Sequence, residues 1–169
     1  MKLSYLFFVA LLFLAPACTP NQKTSDGYSY DADKLVEDLK VLSSDEMEGR
    51  KTGTVGNERA RDYLVNRFEE EGAALFEGSY EHKFSFTNRA GKQINGVNVT
   101  GQINGKSDSV IVISAHYDHL GIKDNVIYNG ADDDASGTAA LLAFIDYFNH
   151  HTPNHTLVFA AFDAEEMGL

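Results

Sequence analysis

The chain has 169 residues, a formal charge of −11 and one cysteine. An acidic chain is repelled by a nucleic-acid backbone, and a lone thiol supplies neither an internal disulfide nor a cysteine cage for a metal. The length allows one domain, and no internal repeat or low-complexity block divides it.

Lys2, the apolar run over residues 3–14 and Ala15-Pro16-Ala17 read as a signal peptide, residues 1–17, too short to span a bilayer comfortably. Cys18 follows at once, as in a bacterial lipoprotein whose new N-terminal cysteine is acylated. The match to a lipobox is loose, because Ala15 stands where leucine is commoner, and simple secretion after Ala17 and an uncleaved anchor are the alternatives. The expected protein is exported to the bacterial cell envelope, periplasm-facing or on the outer membrane, and touches the membrane through a lipid anchor at Cys18. Residues 18–30 form the lipidated polar linker, and residues 31–169 the folded part.

Asp33 can cap a first helix whose Leu35, Val36, Leu39 and Leu42 share one side. Residues 43–56 read as a loop, with Gly49, Gly53 and Gly56 in it. A second helix over 57–71 buries Ala60, Leu64 and Phe68 and ends at Gly72. Phe84-Ser85-Phe86 and Val97-Asn98-Val99 alternate as strands do, and Asn104-Gly105 is a hairpin signal, so the early part of the sheet is expected to be antiparallel. The segment 101–107 has three residues between its glycines where a phosphate loop needs four, and no helix follows it.

Residues 110–114 and 157–162 are nearly unbroken apolar runs, the pattern of strands buried in a parallel sheet. Between them Ser136 is a good N-cap for a helix over 138–148, which is apolar almost all round and ends before Pro153. This is a βαβ unit, whose right-handed crossover brings the C-terminal ends of both strands to one sheet edge. The fold class is α/β: a mixed, largely parallel central sheet with helices on both faces.

That edge collects the charged residues. His116 and Asp118 follow the first strand, Asp132-Asp133-Asp134 precede the helix, and Glu165-Glu166 follow the second strand. A bare carboxylate cluster repels itself, so its ionised form needs a cation, and imidazole with carboxylate suits zinc. His116 reads as a ligand, with His119 its rival in the same loop. Asp118, two residues on, can point to the same side and take the free ring N–H of His116. Three aspartates exceed what helix capping requires; which of them binds is open on spacing alone. If the Glu165-Glu166 segment is extended, the two side chains face opposite ways, so one can bind metal while the other serves as base. His82, His150, His151 and His155 read as structural or surface residues. The chain has no Gly-x-Ser-x-Gly elbow and no His-Glu-x-x-His helix.

At Ser114-Ala115-His116-Tyr117-Asp118-His119-Leu120-Gly121, Gly130-Ala131-Asp132-Asp133-Asp134-Ala135-Ser136-Gly137 and Phe162-Asp163-Ala164-Glu165-Glu166 the chain resembles the two-zinc aminopeptidases of bacteria, family twenty-eight of the metallopeptidases. The resemblance extends to Leu42-Ser43-Ser44-Asp45, Gly49-Arg50 and Gly53-Thr54, and so covers nearly all of the chain after the linker. It implies that His116 binds one zinc, Asp133 bridges both and Glu166 binds the other. Glu165 would be the general base and acid, Asp118 would support His116, and the Asp133–Asp134 peptide would be cis. The implied activity is hydrolysis of N-terminal residues from peptides with two zinc ions.

The family pattern also asks for an aspartate and a histidine downstream of the paired glutamates. Residues 31–169 are therefore expected to be the N-terminal part of a zinc peptidase domain, binding zinc poorly and catalysing little by itself. Two rivals stand beside this reading: a single-zinc enzyme of the glutaminyl cyclase kind, and a non-catalytic exported binding protein of the same fold.

Overall fold

The computed structural model describes residues 27–29, 31–88 and 90–169. The signal peptide and the Cys18 anchor fall on residues outside the described ones.

The first helix, α1 (Ala32–Leu42), is capped by Asp31, whose side chain accepts from the Lys34 N–H at 3.0 Å. The expected cap, Asp33, lies inside the first turn, where its negative charge faces the helix N-terminus. A 3-10 turn (Asp45–Arg50) leads to α2 (Val55–Glu70), capped by Thr54 and ended at Gly72, where φ is +83°. The buried Asp38 of α1 ties the two helices together, accepting from Arg67 of α2 at 2.8 and 3.1 Å.

Strands β1 (Ala74–Leu75), β2 (Glu81–Thr87), β3 (Gln93–Ile103) and β4 (Ser107–His116) follow. The short pair β5 (Gly121–Lys123) and β6 (Val126–Tyr128) comes next, then α3 (Ser136–His150) and β7 (His155–Phe162). Four strands lie in the order β1-β3-β7-β4, and β2 also pairs with β3. The sheet is mixed: β4 and β7 run parallel, as the βαβ reading requires, while β3 is antiparallel to β1, β2 and β7.

Asn104-Gly105 does not close a β3–β4 hairpin, because β7 lies between those strands. The turn instead straddles the start of β7. Gly105 donates its N–H to Thr156 Oγ1 at 3.1 Å, and a Cβ there would sit 2.2 Å from the His155 carbonyl carbon.

Side chains alternate across β3, β7 and β4, so cross-strand rows form: Ile103, Leu157 and Ile111; Gly101, Phe159 and Ile113; Val99, Ala161 and Ala115. Apart from Ile111, which is exposed at the end of its row, these rows face a core shared with Leu42 of α1, Leu64 and Phe68 of α2, and Leu141, Leu142 and Ile145 of α3. Gly101 admits α2 closely, since a Cβ there would meet Phe68 and Ala73 at 2.9 Å. The described helices thus share the core on one sheet face. On the other face Val110 and Val112 are 56% and 58% exposed.

Candidate metal centre

Three segments meet at the C-terminal ends of β4 and β7. His116 ends β4, and its ring Nδ1 faces the main-chain carbonyl of Asp118 at 3.1 Å. The Asp118 carboxylate lies farther off, at 3.6 Å from the same nitrogen. That carboxylate is fully buried and turned to the other strand exit, accepting N–H bonds from Glu165 at 3.1 Å and Glu166 at 3.2 Å, and a hydroxyl bond from Thr52 at 3.3 Å. Asp118 therefore orients His116 through its backbone and the paired glutamates through its side chain.

Asp133 and Asp134 lie in a π-type turn (Ala131–Ala135) that runs into α3, joined by a cis peptide. The cap position of α3 falls on Ala135, and Asp134 before it accepts the Gly137 N–H at 2.9 Å; Ser136, the expected cap, is already helical because the preceding turn continues straight into α3. Asp133 is left to face His116, with Oδ1 3.0 Å from Nε2. Glu165 and Glu166 sit in a 3-10 turn (Glu165–Met167), not an extended segment, after Ala164 at φ +68°. The turn still separates them: Glu165 Oε2 is 3.9 Å from His116 Nε2, whereas Glu166 Oε1 is 2.7 Å from His119 Nδ1.

The sequence-predicted residues His116, Asp118, Asp133, Glu165 and Glu166 are thus brought to one rim, and His119 joins them. One ligand atom each from His119, Asp133 and Glu166 lie within 4.8 Å of one another. Both His119 Nδ1 and Glu166 Oε1 are buried without a hydrogen-bond partner. Lone pairs left in that state are costly, and a divalent cation would satisfy them, so the donor set fits zinc.

Several supporting residues stand in the motifs of the resemblance without a role assigned to them there. Asp163 is buried and accepts from Thr52 Oγ1 at 2.8 Å, Asn57 Nδ2 at 3.1 Å, the Val97 N–H at 3.0 Å and the Ala164 N–H at 2.9 Å. Arg50, fully buried, donates to the carbonyls of Tyr117 (2.7 Å), Asn129 (2.7 Å), Gly130 (2.9 Å) and Leu42, pinning the loops that carry both histidines and Asp133. Such contacts join residues as far as 111 apart, which no local pattern reveals.

Burial dominates the electrostatics. It pushes the Asp118 carboxyl up to about 6, reinforced by the Asp163 charge and opposed by the N–H groups of Glu165 and Glu166. Burial also pulls the Arg50 guanidinium down to about 10, against the pull of Asp118, Asp134 and Asp133, so it stays charged at neutral pH. Burial lowers the His116 pKa, but the Asp118 carbonyl and the charges of Asp118, Asp134 and Glu165 outweigh it and leave the imidazole above its ordinary value. A cleft of ≈1250 Å³ adjoins the site, lined by Thr52, Asp118, His119, Glu165 and Glu166 among others.

The remaining histidines serve elsewhere, as expected. His82 packs against Phe76, and His155 Nδ1 faces Ser107 Oγ at 3.0 Å. His151 stacks on Tyr147 with ring centroids 4.2 Å apart, and His150 Nδ1 lies 2.9 Å from the Asp146 carbonyl.

Residues 98–169 match the model of Peptidase family M28. Among solved structures, the chain is similar to the glutaminyl cyclase of Porphyromonas gingivalis, at 22% identity and a TM-score of 0.70 over 83% of this chain and 48% of that one. It is similar to a leucine aminopeptidase precursor from Bacteroides thetaiotaomicron as well, at 23% identity and a TM-score of 0.66 over 83% of this chain and 49% of that one. A vacuolar membrane protease of Laccaria bicolor is 37% identical over 79 residues, 45% of this chain and 7% of that protein. The chain spans about half the length of these solved structures and less than a tenth of the curated relative.

Proposed function

With residues 98–169 a segment of peptidase family M28, we propose that the protein releases N-terminal residues from peptides in a zinc-dependent hydrolysis. We place it outside the cytoplasm, held to the envelope through Cys18. The observation that carries the catalytic reading is the meeting of His116, Asp133, Glu165 and Glu166, from three separate segments, at one sheet edge beside an open cleft.

In this reading His116, Asp133 and Glu166 would hold the metal, and Asp133 would serve each position if two ions bind. Bound zinc supplies an acidified water and polarises the scissile carbonyl. Glu165, with a side chain 57% exposed, faces the cleft and is not needed as a ligand. It takes a proton from the attacking water and returns it to the leaving amine. Asp118 fixes both glutamates by accepting their N–H groups, so Glu165 is held before substrate arrives.

A second reading, cyclisation of N-terminal glutamine by a single-zinc enzyme, is favoured by the TM-score of 0.70 to the Porphyromonas gingivalis cyclase. Paired assays in the complete enzyme separate the two: release of an N-terminal residue from a peptide against loss of ammonia from an N-terminal glutaminyl peptide. Glu165→Gln should abolish peptide hydrolysis by about 100-fold or more while zinc content stays unchanged. Wild-type turnover by that variant would remove Glu165 from the mechanism.

A further inference from the structure

His119 lies closer to Glu166 than any other charged group in the site does, and its ring is held firmly. Its side chain is 9% exposed and its main-chain N–H donates to the Arg50 carbonyl at 3.3 Å. The ring packs against Gly130, which has φ +52°; a Cβ at that glycine would stand 2.5 Å from His119 Cδ2 and equally close to the Asp133 carbonyl oxygen. The Asp133 loop can approach the imidazole only because that side chain is missing. Arg50 fixes the Gly130 carbonyl from the other direction.

The ring nitrogen so placed has nothing to bond. His119 Nδ1 and Glu166 Oε1 stand 2.7 Å apart, yet neither makes a hydrogen bond of acceptable geometry, and both are buried. With Asp133 they form a set of one imidazole and two carboxylates whose ligand atoms lie within 4.8 Å of one another. This is the number and kind of protein ligands that a catalytic zinc site uses while keeping one position open.

We propose that His119 is itself a metal ligand, forming with Asp133 and Glu166 a cation site that this chain can fill by itself, next to the position served by His116. Asp133 is common to both positions, since its Oδ1 also lies 3.0 Å from His116 Nε2. The proposal rests on the zinc reading above for the choice of ion, and it reverses the expectation that residues 31–169 bind zinc poorly.

The test is zinc and cobalt(II) titration of the metal-stripped 169-residue chain, with ¹⁵N-histidine NMR reporting which ring nitrogens shift. Wild type should take up a first equivalent of zinc, with a histidine Nδ1 signal moving on binding. His119→Asn and His119→Gln should weaken that uptake by more than roughly 100-fold, beyond the 10–100-fold that loss of an outer partner costs. They should also remove the Nδ1 shift and change the cobalt absorption band. Two variants guard against a folding defect, which far-UV circular dichroism would report.

Three outcomes overturn the proposal. One is no zinc uptake by the wild-type chain. Another is wild-type uptake by the folded His119 variants. The third is a milder weakening with the cobalt band unchanged, which would make His119 an orienting partner of Glu166. Glu165→Gln keeps the two readings apart: it leaves zinc uptake by this chain intact, and the peptidase reading fails only if the complete enzyme retains activity with that substitution.

Discussion

At the scale of single residues, Asp118 governs how the site responds to pH. Its carboxyl is lifted from 3.8 to about 6, so below about that pH the folded metal-free protein holds it neutral. Between those values the native state binds more protons than the unfolded chain, and stability falls as pH rises. The displacement corresponds to about 3 kcal/mol, fully present below pH ~4 and lost as pH passes ~6. The raised His116 pKa acts with the same sign, its contribution being lost as pH rises further. Urea unfolding of the metal-free protein at a series of pH values should therefore show the decline, and Asp118→Asn should flatten it between pH 4 and 6. An equal slope in both proteins would contradict this account. The sequence pointed to Asp118 through its spacing from His116, but not to its partner: the nearer acceptor for the ring is a main-chain carbonyl, which every residue carries. His119 was legible only as a rival to His116, because one-dimensional spacing cannot show that two histidines of one loop face different carboxylates.

At the scale of elements, the apolar runs and the helix between them were legible because periodicity is a local property, and β4, α3 and β7 form where that reading puts them. The burial expected of β4 is not found, because it lies at the end of the strand order with Val110, Ile111 and Val112 exposed. Strand order was not legible, since it is decided by which edges pair after collapse. Asn104-Gly105 has the composition of a tight hairpin, yet the strands on either side of it accommodate β7 between them. The glycine is needed for a different reason, the approach of the His155 carbonyl carbon to 2.2 Å of where a Cβ would lie. Gly105→Val should then cost about 1–3 kcal/mol by overpacking, read as a lowered urea midpoint with an unchanged slope. An unaltered midpoint would mean that the turn relaxes freely.

At the scale of the whole molecule, one compact unit begins at Asp31, and the export segment and lipidated linker before it are proposed from composition alone. If Cys18 is acylated, labelled palmitate should enter the wild-type protein, and the protein should sediment with membranes. Cys18→Ala should lose both label and sedimentation; a secreted, unlabelled wild type would support simple cleavage after Ala17.

The strand order also dictates when anything can be assembled. Among the described strands, the one between β3 and β4 comes latest in the chain, so β4 gains its described neighbour only after residue 162 has left the ribosome. Every core row lacks its middle member before then. The two glutamates emerge only three and four residues later, so a nascent chain cannot gather the acidic rim around an ion before the sheet has zipped shut.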